Sequence, residues 1–251
     1  MAASPKVHAL SDLHLMHPGE RFYQQILEWI RTTPQPGDHL ALAGDIFDVY
    51  VGNKEVFRKL HSPFFETIRG LTQKGVSVHH VEGNHDFWLR GAYLDSGCGE
   101  VRVHGDSIEI ELQGRTLRIE HGDLADPTDR VYLVLRKFFR SGLALAMIGG
   151  TPGVLLDWLG RTWSNGSRDR QGELPDSWSE GRRHQLREIY FEYSRSRVGP
   201  GLADSLIMGH CHDAHECPGY MNVGFPRKHQ AWVRWTPESN TLERIPFQGS
   251  V

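Results

Sequence analysis

The chain has 251 residues, 39% apolar and 24% charged, enough for a continuous core and more consistent with one large domain than with two equal ones. A formal net charge of -3 gives no reason to expect nonspecific nucleic-acid binding, and no stretch of 18 or more apolar residues marks a membrane span. Met1 to Leu15 lacks the basic segment and apolar run of an export signal, and Cys98, Cys211 and Cys217 form no paired framework, which fits a reducing compartment.

The first part of the chain alternates short apolar strands with amphipathic helices. Val7 to Leu10 is predicted as a strand running into Ser11-Asp12-Leu13-His14. Phe22 to Ile30 is predicted helical, with Phe22, Ile26, Leu27 and Ile30 on one face. Leu40 to Ala43 is a second buried strand ending in Gly44-Asp45-Ile46-Phe47-Asp48, Val56 to Leu71 a longer helix, and Val76 to Val81 a third strand ending in Gly83-Asn84-His85-Asp86. Strands follow over Val101 to Val103, Ile108 to Leu112 and Leu117 to Glu120, with a hairpin turn at Gln113-Gly114 and His121-Gly122-Asp123 at the end. Residues 124–203 read as a helical insertion. Arg130 to Phe139 and Leu143 to Leu159 are apolar and interrupted by Gly149 to Gly153; a polar loop spans Ser164 to Ser179, and a charged helix spans about Glu180 to Arg195. The core pattern resumes at Ser205 to Met208, before Gly209-His210-Cys211-His212, and ends in strands such as Ala231 to Trp235.

Every polar motif stands directly after a predicted strand, where the loops of layered α/β folds converge on one edge. Asp12 and His14 are two residues apart, and so are His210 and His212, so each pair can face one side of an extended strand end. Fifteen histidines add to the expectation of metal or acid–base chemistry. Carboxylates, imidazoles and one amide oxygen suit Mn, Fe, Zn or Co better than Ca. Seven donors are too many for one tetrahedral ion but suit two ions about 3.5–4 Å apart, which together activate water and stabilise a phosphoryl transition state. Singly, each motif reads equally well as a turn, a cap or a strand-end hydrogen bond; the ordered set carries the inference.

That ordered set, Asp12-x-His14, Gly44-Asp45-x-x-Asp48, Gly83-Asn84-His85-Asp86, His121 and Gly209-His210-x-His212, resembles the signature of calcineurin-like metallophosphoesterases over roughly residues 7 to 225. The resemblance implies an α/β fold: a β-sandwich flanked by helices, residues 1–251 forming one domain and 124–203 a helical cap within it. It implies that Asp12, His14, Asp45 and His212 hold one divalent ion and that Asn84, His121, His210 and the shared Asp45 hold the other, Mn²⁺ first and Fe²⁺ or Zn²⁺ as alternatives. It places His85 at the scissile phosphate, and Asp86 is then expected to orient His85 through a ring nitrogen. Asp48 is expected behind the ligands, and Cys211 to point away into packing.

Chain size, the Gly44-Asp45-Ile46-Phe47-Asp48 motif and the insertion after His121 look like the UDP-2,3-diacylglucosamine pyrophosphohydrolases of lipid A synthesis, which release UMP and 2,3-diacylglucosamine 1-phosphate. Tyr132 and Arg136 stand at the offsets of that family's substrate residues, and Arg140, Ser164 and Arg168 are further candidates. The insertion is apolar with interleaved Arg130, Arg136, Lys137, Arg140 and Arg161, as a surface meeting lipid and anionic headgroups requires. This implies a nucleotide-linked lipid substrate, no nucleic acid, and a cytoplasmic protein peripheral to the inner membrane. Two alternatives stay open: a soluble phosphodiesterase or nucleotidase whose insertion only shields the site, and a non-catalytic scaffold. One departure bears on the choice, since the best-known lipid-pathway members carry Arg where His85 stands.

Overall fold

In the computed structural model, which describes residues 4–158, 162 and 180–247, every apolar run read as a buried strand enters one of two sheets. The first sheet has six strands in the order β13 (Thr241–Pro246), β12 (Ala231–Thr236), β1 (Val7–Leu10), β2 (His39–Ala43), β4 (Ser77–Val81) and β6 (Arg102–His104). Strands β1, β2, β4 and β6 run parallel. The second has five: β10 (Glu216–Cys217), β11 (Tyr220–Asn222), β9 (Ser205–Met208), β8 (Arg115–Glu120) and β7 (Ser107–Leu112), with β8, β9 and β11 parallel. A two-stranded pair, β3 (Tyr50–Val51) and β5 (Asp86–Phe87), lies outside both.

Successive residues of a strand point to opposite faces, and that alternation builds the layers. Val7, Ala9, Ala41, Ala43 and Val81 of the first sheet meet Ile108, Ile110, Leu117, Ile119 and Ile207 of the second in one apolar cluster between the sheets. Leu10, Leu40, Leu42 and Val78 face the other way, onto helices α1 (Arg21–Thr32) and α3 (Ser62–Gln73). The helix expected over 56–71 is two, α2 (Glu55–Leu60) and α3, because Pro63 at the start of α3 has no N–H to continue the ladder. Helices α4 (Arg90–Asp95) and α9 (Pro226–His229) are short connectors.

Between β8 and β9 come α5 (Arg130–Phe139), α6 (Gly142–Gly150), α7 (153–158) and α8 (Glu180–Arg195). They do not behave as one cap. Tyr190 of α8 is buried with Leu206, Met208 and Tyr220 on the outer face of the second sheet, so α8 is a layer of the sandwich. Helices α5 to α7 carry the exposed apolar side chains instead. Asp129 and Ser141 cap α5 and α6, each accepting a backbone N–H three residues on.

A histidine ladder crosses the first sheet at the buried face of β2, β4 and β6. His79 hydrogen-bonds His39 at 3.2 Å, and its ring lies 6.0 Å from that of His104. Burial, then His39, His104 and Arg102, hold the His79 imidazole down to about 3. Unfolded histidine titrates near 6.5, so the folded chain binds fewer protons between those values; stability is complete above the upper one and lost as pH falls toward the lower. Thermal unfolding is therefore expected to drop in temperature from pH 6.5 downward, and His79→Leu to flatten that part of the curve. An equally steep curve in the variant would remove the histidine from the explanation.

Candidate metal centre

Strands β1, β2 and β4 of one sheet and β8 and β9 of the other end at the same edge of the sandwich, and each delivers one motif there. Pairing continues past the strand ends and keeps the motifs in register. Asp12 N–H donates to the Gly44 carbonyl and His14 N–H to that of Asp45, both at 3.0 Å, and Gly209 N–H donates to His121 at 2.8 Å. The ligand residues themselves are bent: Asp12, His14, Asp45, His210 and His212 have φ between 44° and 70°. Left-handed backbone costs about 1–2 kcal/mol for each non-glycine residue, so this edge concentrates strain of the kind that folds keep at working sites. Two glycines make the close approach feasible. A Cβ on Gly209 would stand 1.9 Å from Ser11 Oγ and 2.2 Å from an Asp12 carboxylate oxygen, and one on Gly83 would stand 2.1 Å from Asp45 Oδ1.

The expected ligands gather in two groups, Asp12 with His14 and His212, and Asp45 with His121 and His210, while His14 also forms a third cluster with Asp48 and His85. In the first, His14 Nε2 is 3.1 Å from His212 Nε2, which is 3.3 Å from Asp12 Oδ1. In the second, His121 Nε2 lies 3.0 Å from Asn84 Oδ1, 3.2 Å from His210 Nδ1 and 3.4 Å from Asp45 Oδ2. Asp45 Oδ2 is also 3.9 Å from His14 Nε2, so one carboxylate faces both groups. Two donors bound to one ion at about 2.1 Å, at angles of roughly 90–110°, lie about 3.0–3.4 Å apart. The measured separations within each group fall in that interval.

The charges agree with the distances. Burial opposes protonation of His121, but the carboxylates of Asp45, Asp12 and Asp123 outweigh it and push its pKa up to about 10. Burial and then the neighbouring His121 push His210 down to about 4, leaving a neutral imidazole with a lone pair to offer. Burial alone would raise the Asp45 carboxyl; His121, His85 and His14 hold it well below the usual range. The pocket therefore already holds a positive charge among carboxylates, a charge that a cation supplies and whose proton it displaces. Mixed carboxylate, imidazole and amide donors fit a first-row transition metal.

Around the ligands lies a supporting set of which only Asp48 and Cys211 were expected from the sequence. His121 Nδ1 donates to the Ala43 carbonyl at 2.9 Å, which directs Nε2 at the other donors. Ser11 Oγ donates to Asp12 at 2.6 Å, Asn222 Nδ2 holds the Gly209 carbonyl at 2.8 Å, and Phe225 stacks on His212 at 4.8 Å. Asp48 approaches His14 Nδ1 at 3.7 Å, behind that ligand. Cys211 is buried in the α8 cluster. Asp48 had a signal in sequence in its spacing three residues after Asp45, and Cys211 in its place between two ligands; Ser11, Asn222 and Phe225 had none.

Several expected site residues sit elsewhere than expected. Asp86 does not orient His85: its carboxylate accepts N–H bonds from Gly83, Asp45, Ile46 and Phe47 at 2.7–3.2 Å. The group on His85 Nδ1 is the Asp48 carbonyl, at 2.8 Å. Tyr132 lies beside the centre, its ring 5.9 Å from that of His210 and its hydroxyl donating to Asp123 at 2.5 Å. Arg136 is paired with Asp123 and with Asp106. Arg140 donates to the Glu82 carboxylate and to three backbone carbonyls, and so faces the protein rather than a ligand. Ser164 and Arg168 lie outside the described residues.

Residues 5–141 match the family model for calcineurin-like phosphoesterases, more than half of the chain. The chain belongs to that family. Among its relatives, the UDP-2,3-diacylglucosamine hydrolase of Stutzerimonas stutzeri is 27% identical over 164 residues, covering 63% of this chain and 65% of that protein. That of Porphyromonas gingivalis is 29% identical over 147 residues, 55% and 54% of the two chains. Both alignments span less than two thirds of the relative. The Stenotrophomonas maltophilia protein of the same name is 27% identical over 207 residues, covering 81% of this chain and 80% of that one. Membership of that family implies a dinuclear divalent-metal centre, and the two donor groups at one sandwich edge are the candidates to hold it.

Proposed function

We propose that this chain hydrolyses the pyrophosphate of UDP-2,3-diacylglucosamine to UMP and 2,3-diacylglucosamine 1-phosphate, using two divalent cations, Mn²⁺ first among them, at the cytoplasmic face of the inner membrane. The observation that carries the substrate class is the exposed apolar surface beside the metal centre. Among the described residues, eleven of the thirteen large apolar side chains that stand exposed fall between Val131 and Trp158, including Val131 at 73%, Leu143 at 65% and Trp158 at 61%. Helix α6 has no charged residue and buries only Ala144 and Ile148. A surface of this kind marks an interaction site, and each acyl methylene it removes from water contributes about 0.8 kcal/mol. No helix among the described residues is long and apolar enough to cross a membrane, so contact would be from one side.

Asp12, His14, His212 and Asp45 would hold one cation and Asn84, His121, His210 and Asp45 the other; when bound, they supply Lewis-acid polarisation of the phosphoryl oxygens and an acidified water. In the hydrolysis a water oxygen bonds to phosphorus, the bridging P–O bond breaks, and the departing phosphate is left to be protonated. His85 is held by its Nδ1 donating to the Asp48 carbonyl, which turns Nε2 outward; as the imidazolium, with both ring nitrogens protonated, it gives that proton from Nε2. Tyr132, whose hydroxyl burial and Asp123 push far above its ordinary range, remains a donor at the mouth of the centre. His85 itself favours a second reading, a phosphodiesterase of small soluble substrates, because the better-known lipid enzymes carry Arg there.

Turnover separates the two. With Mn²⁺ and detergent-dispersed UDP-2,3-diacylglucosamine, UMP release is expected with kcat/KM at least 100-fold above that for bis-p-nitrophenyl phosphate. Silence toward the lipid with the small diester still cleaved would discard the lipid and keep the phosphoesterase.

A further inference from the structure

Helix α5 is amphipathic the wrong way round for a packed helix. Val131, Val134 and Phe138 point to solvent, while Tyr132, Arg136 and Arg140, four residues apart, point at the metal centre's loops. At the end of α5 the Arg140 side chain is only 17% exposed. It donates by Nη1 to Glu82 Oε2 and to the Gly105 carbonyl, both at 2.9 Å, and by Nη2 to the carbonyls of Glu82 at 3.2 Å and Gly83 at 3.0 Å. The other Glu82 oxygen accepts from Leu89 N–H at 2.8 Å, and Trp88 Nε1 donates to the Phe139 carbonyl at 3.0 Å. The turn carrying Asn84 and His85 is thus gripped from both sides by Phe139, the last residue of α5, and Arg140, its C-cap.

We propose that Arg140 is a positioning residue: its hold on the Glu82 and Gly83 carbonyls fixes the turn that aims Asn84 at the second metal group and His85 at the substrate. A planar guanidinium reaches four acceptors at once, which an ammonium cannot do. Interactions that orient metal ligands in this way are typically worth 10–100-fold in metal affinity or activity. The inference rests on the two-cation centre proposed above and not on the identity of the lipid.

The test uses the full chain, Mn²⁺ alone as the binding probe and bis-p-nitrophenyl phosphate as substrate. Arg140→Ala is expected to weaken the second Mn²⁺ at least 10-fold in a calorimetric titration and to lower kcat 10- to 100-fold with KM moved less than 3-fold. Arg140→Lys should recover part of the thermal stability, by pairing with Glu82, but little of the kcat. Arg234→Ala, which breaks the remote pair with Glu243, serves as the control and should leave both readouts unchanged. Arg140→Ala with native Mn²⁺ affinity and native kcat, whatever its melting temperature, overturns the proposal. A native chain that binds fewer than two Mn²⁺ overturns the two-cation reading and the inference with it.

Discussion

Asp45→Asn is expected to lower kcat/KM toward a phosphodiester by on the order of 10³-fold while the chain stays folded. The carboxylate is buried, with Oδ2 facing His121 at 3.4 Å and His14 at 3.9 Å, and Oδ1 accepting from His85 N–H at 2.8 Å. Asparagine keeps the shape and one acceptor oxygen but removes the charge shared by the two donor groups. Lewis-acid catalysis supplies several kcal/mol to a phosphoryl transition state, and about 4 kcal/mol corresponds to roughly 10³ in rate. Steady-state kinetics with metal analysis on the same preparation decides the matter. A variant with fewer than two ions and this loss is the expected result; native turnover would remove Asp45 from the centre.

His85→Ala should cost 10²- to 10⁴-fold in kcat, the range for a positioned general acid, with metal content unchanged. His85 shares a cluster with His14 and Asp48 but is in neither group of expected ligands, and its ring is fixed from behind by the Asp48 carbonyl. Because its proposed task is to protonate the departing oxygen, the loss should shrink as the leaving group becomes more acidic. It should be smaller for a p-nitrophenyl ester than for the pyrophosphate. An equal loss for both would assign His85 to holding the phosphoryl group instead, and a loss of metal would place it among the ligands.

The site was legible because its chemistry is tied to strand ends. A ligand at the end of a parallel strand needs an apolar run before it and a glycine or tight turn around it, so Asp12, Asp45, Asn84, His121 and His210 each announce themselves locally. Strands β2 and β9 carry Leu, Ala, Ile and Met in runs buried on both faces, whereas β8 alternates Leu117 and Ile119 with Arg115 and Arg118 and their neighbours. What surrounds the ligands was not legible in the same way. Asp86 follows His85 directly, but its carboxylate accepts the N–H groups of Gly83, Asp45, Ile46 and Phe47 and so goes under the Asp45 turn rather than to the ring. Arg136 and Arg140 read as headgroup contacts because they stand in an apolar segment; their partners Asp106, Asp123 and Glu82 are distant in sequence. Helix α8 has the charged pattern of a solvated cap helix, yet Tyr190 takes it onto the second sheet and bonds the Gly122 carbonyl at 3.0 Å. Short strands such as β3, β10 and β11 have too few residues for a periodicity to register.

The proposed centre is two cations at one sandwich edge, bridged by Asp45. Its most direct test is a Mn²⁺ titration of the chelator-stripped native chain followed by electron paramagnetic resonance. Saturation at two ions per chain with the spectrum of an exchange-coupled pair is the expected result. Saturation at one isolated ion, or no binding above nonspecific levels, would contradict it.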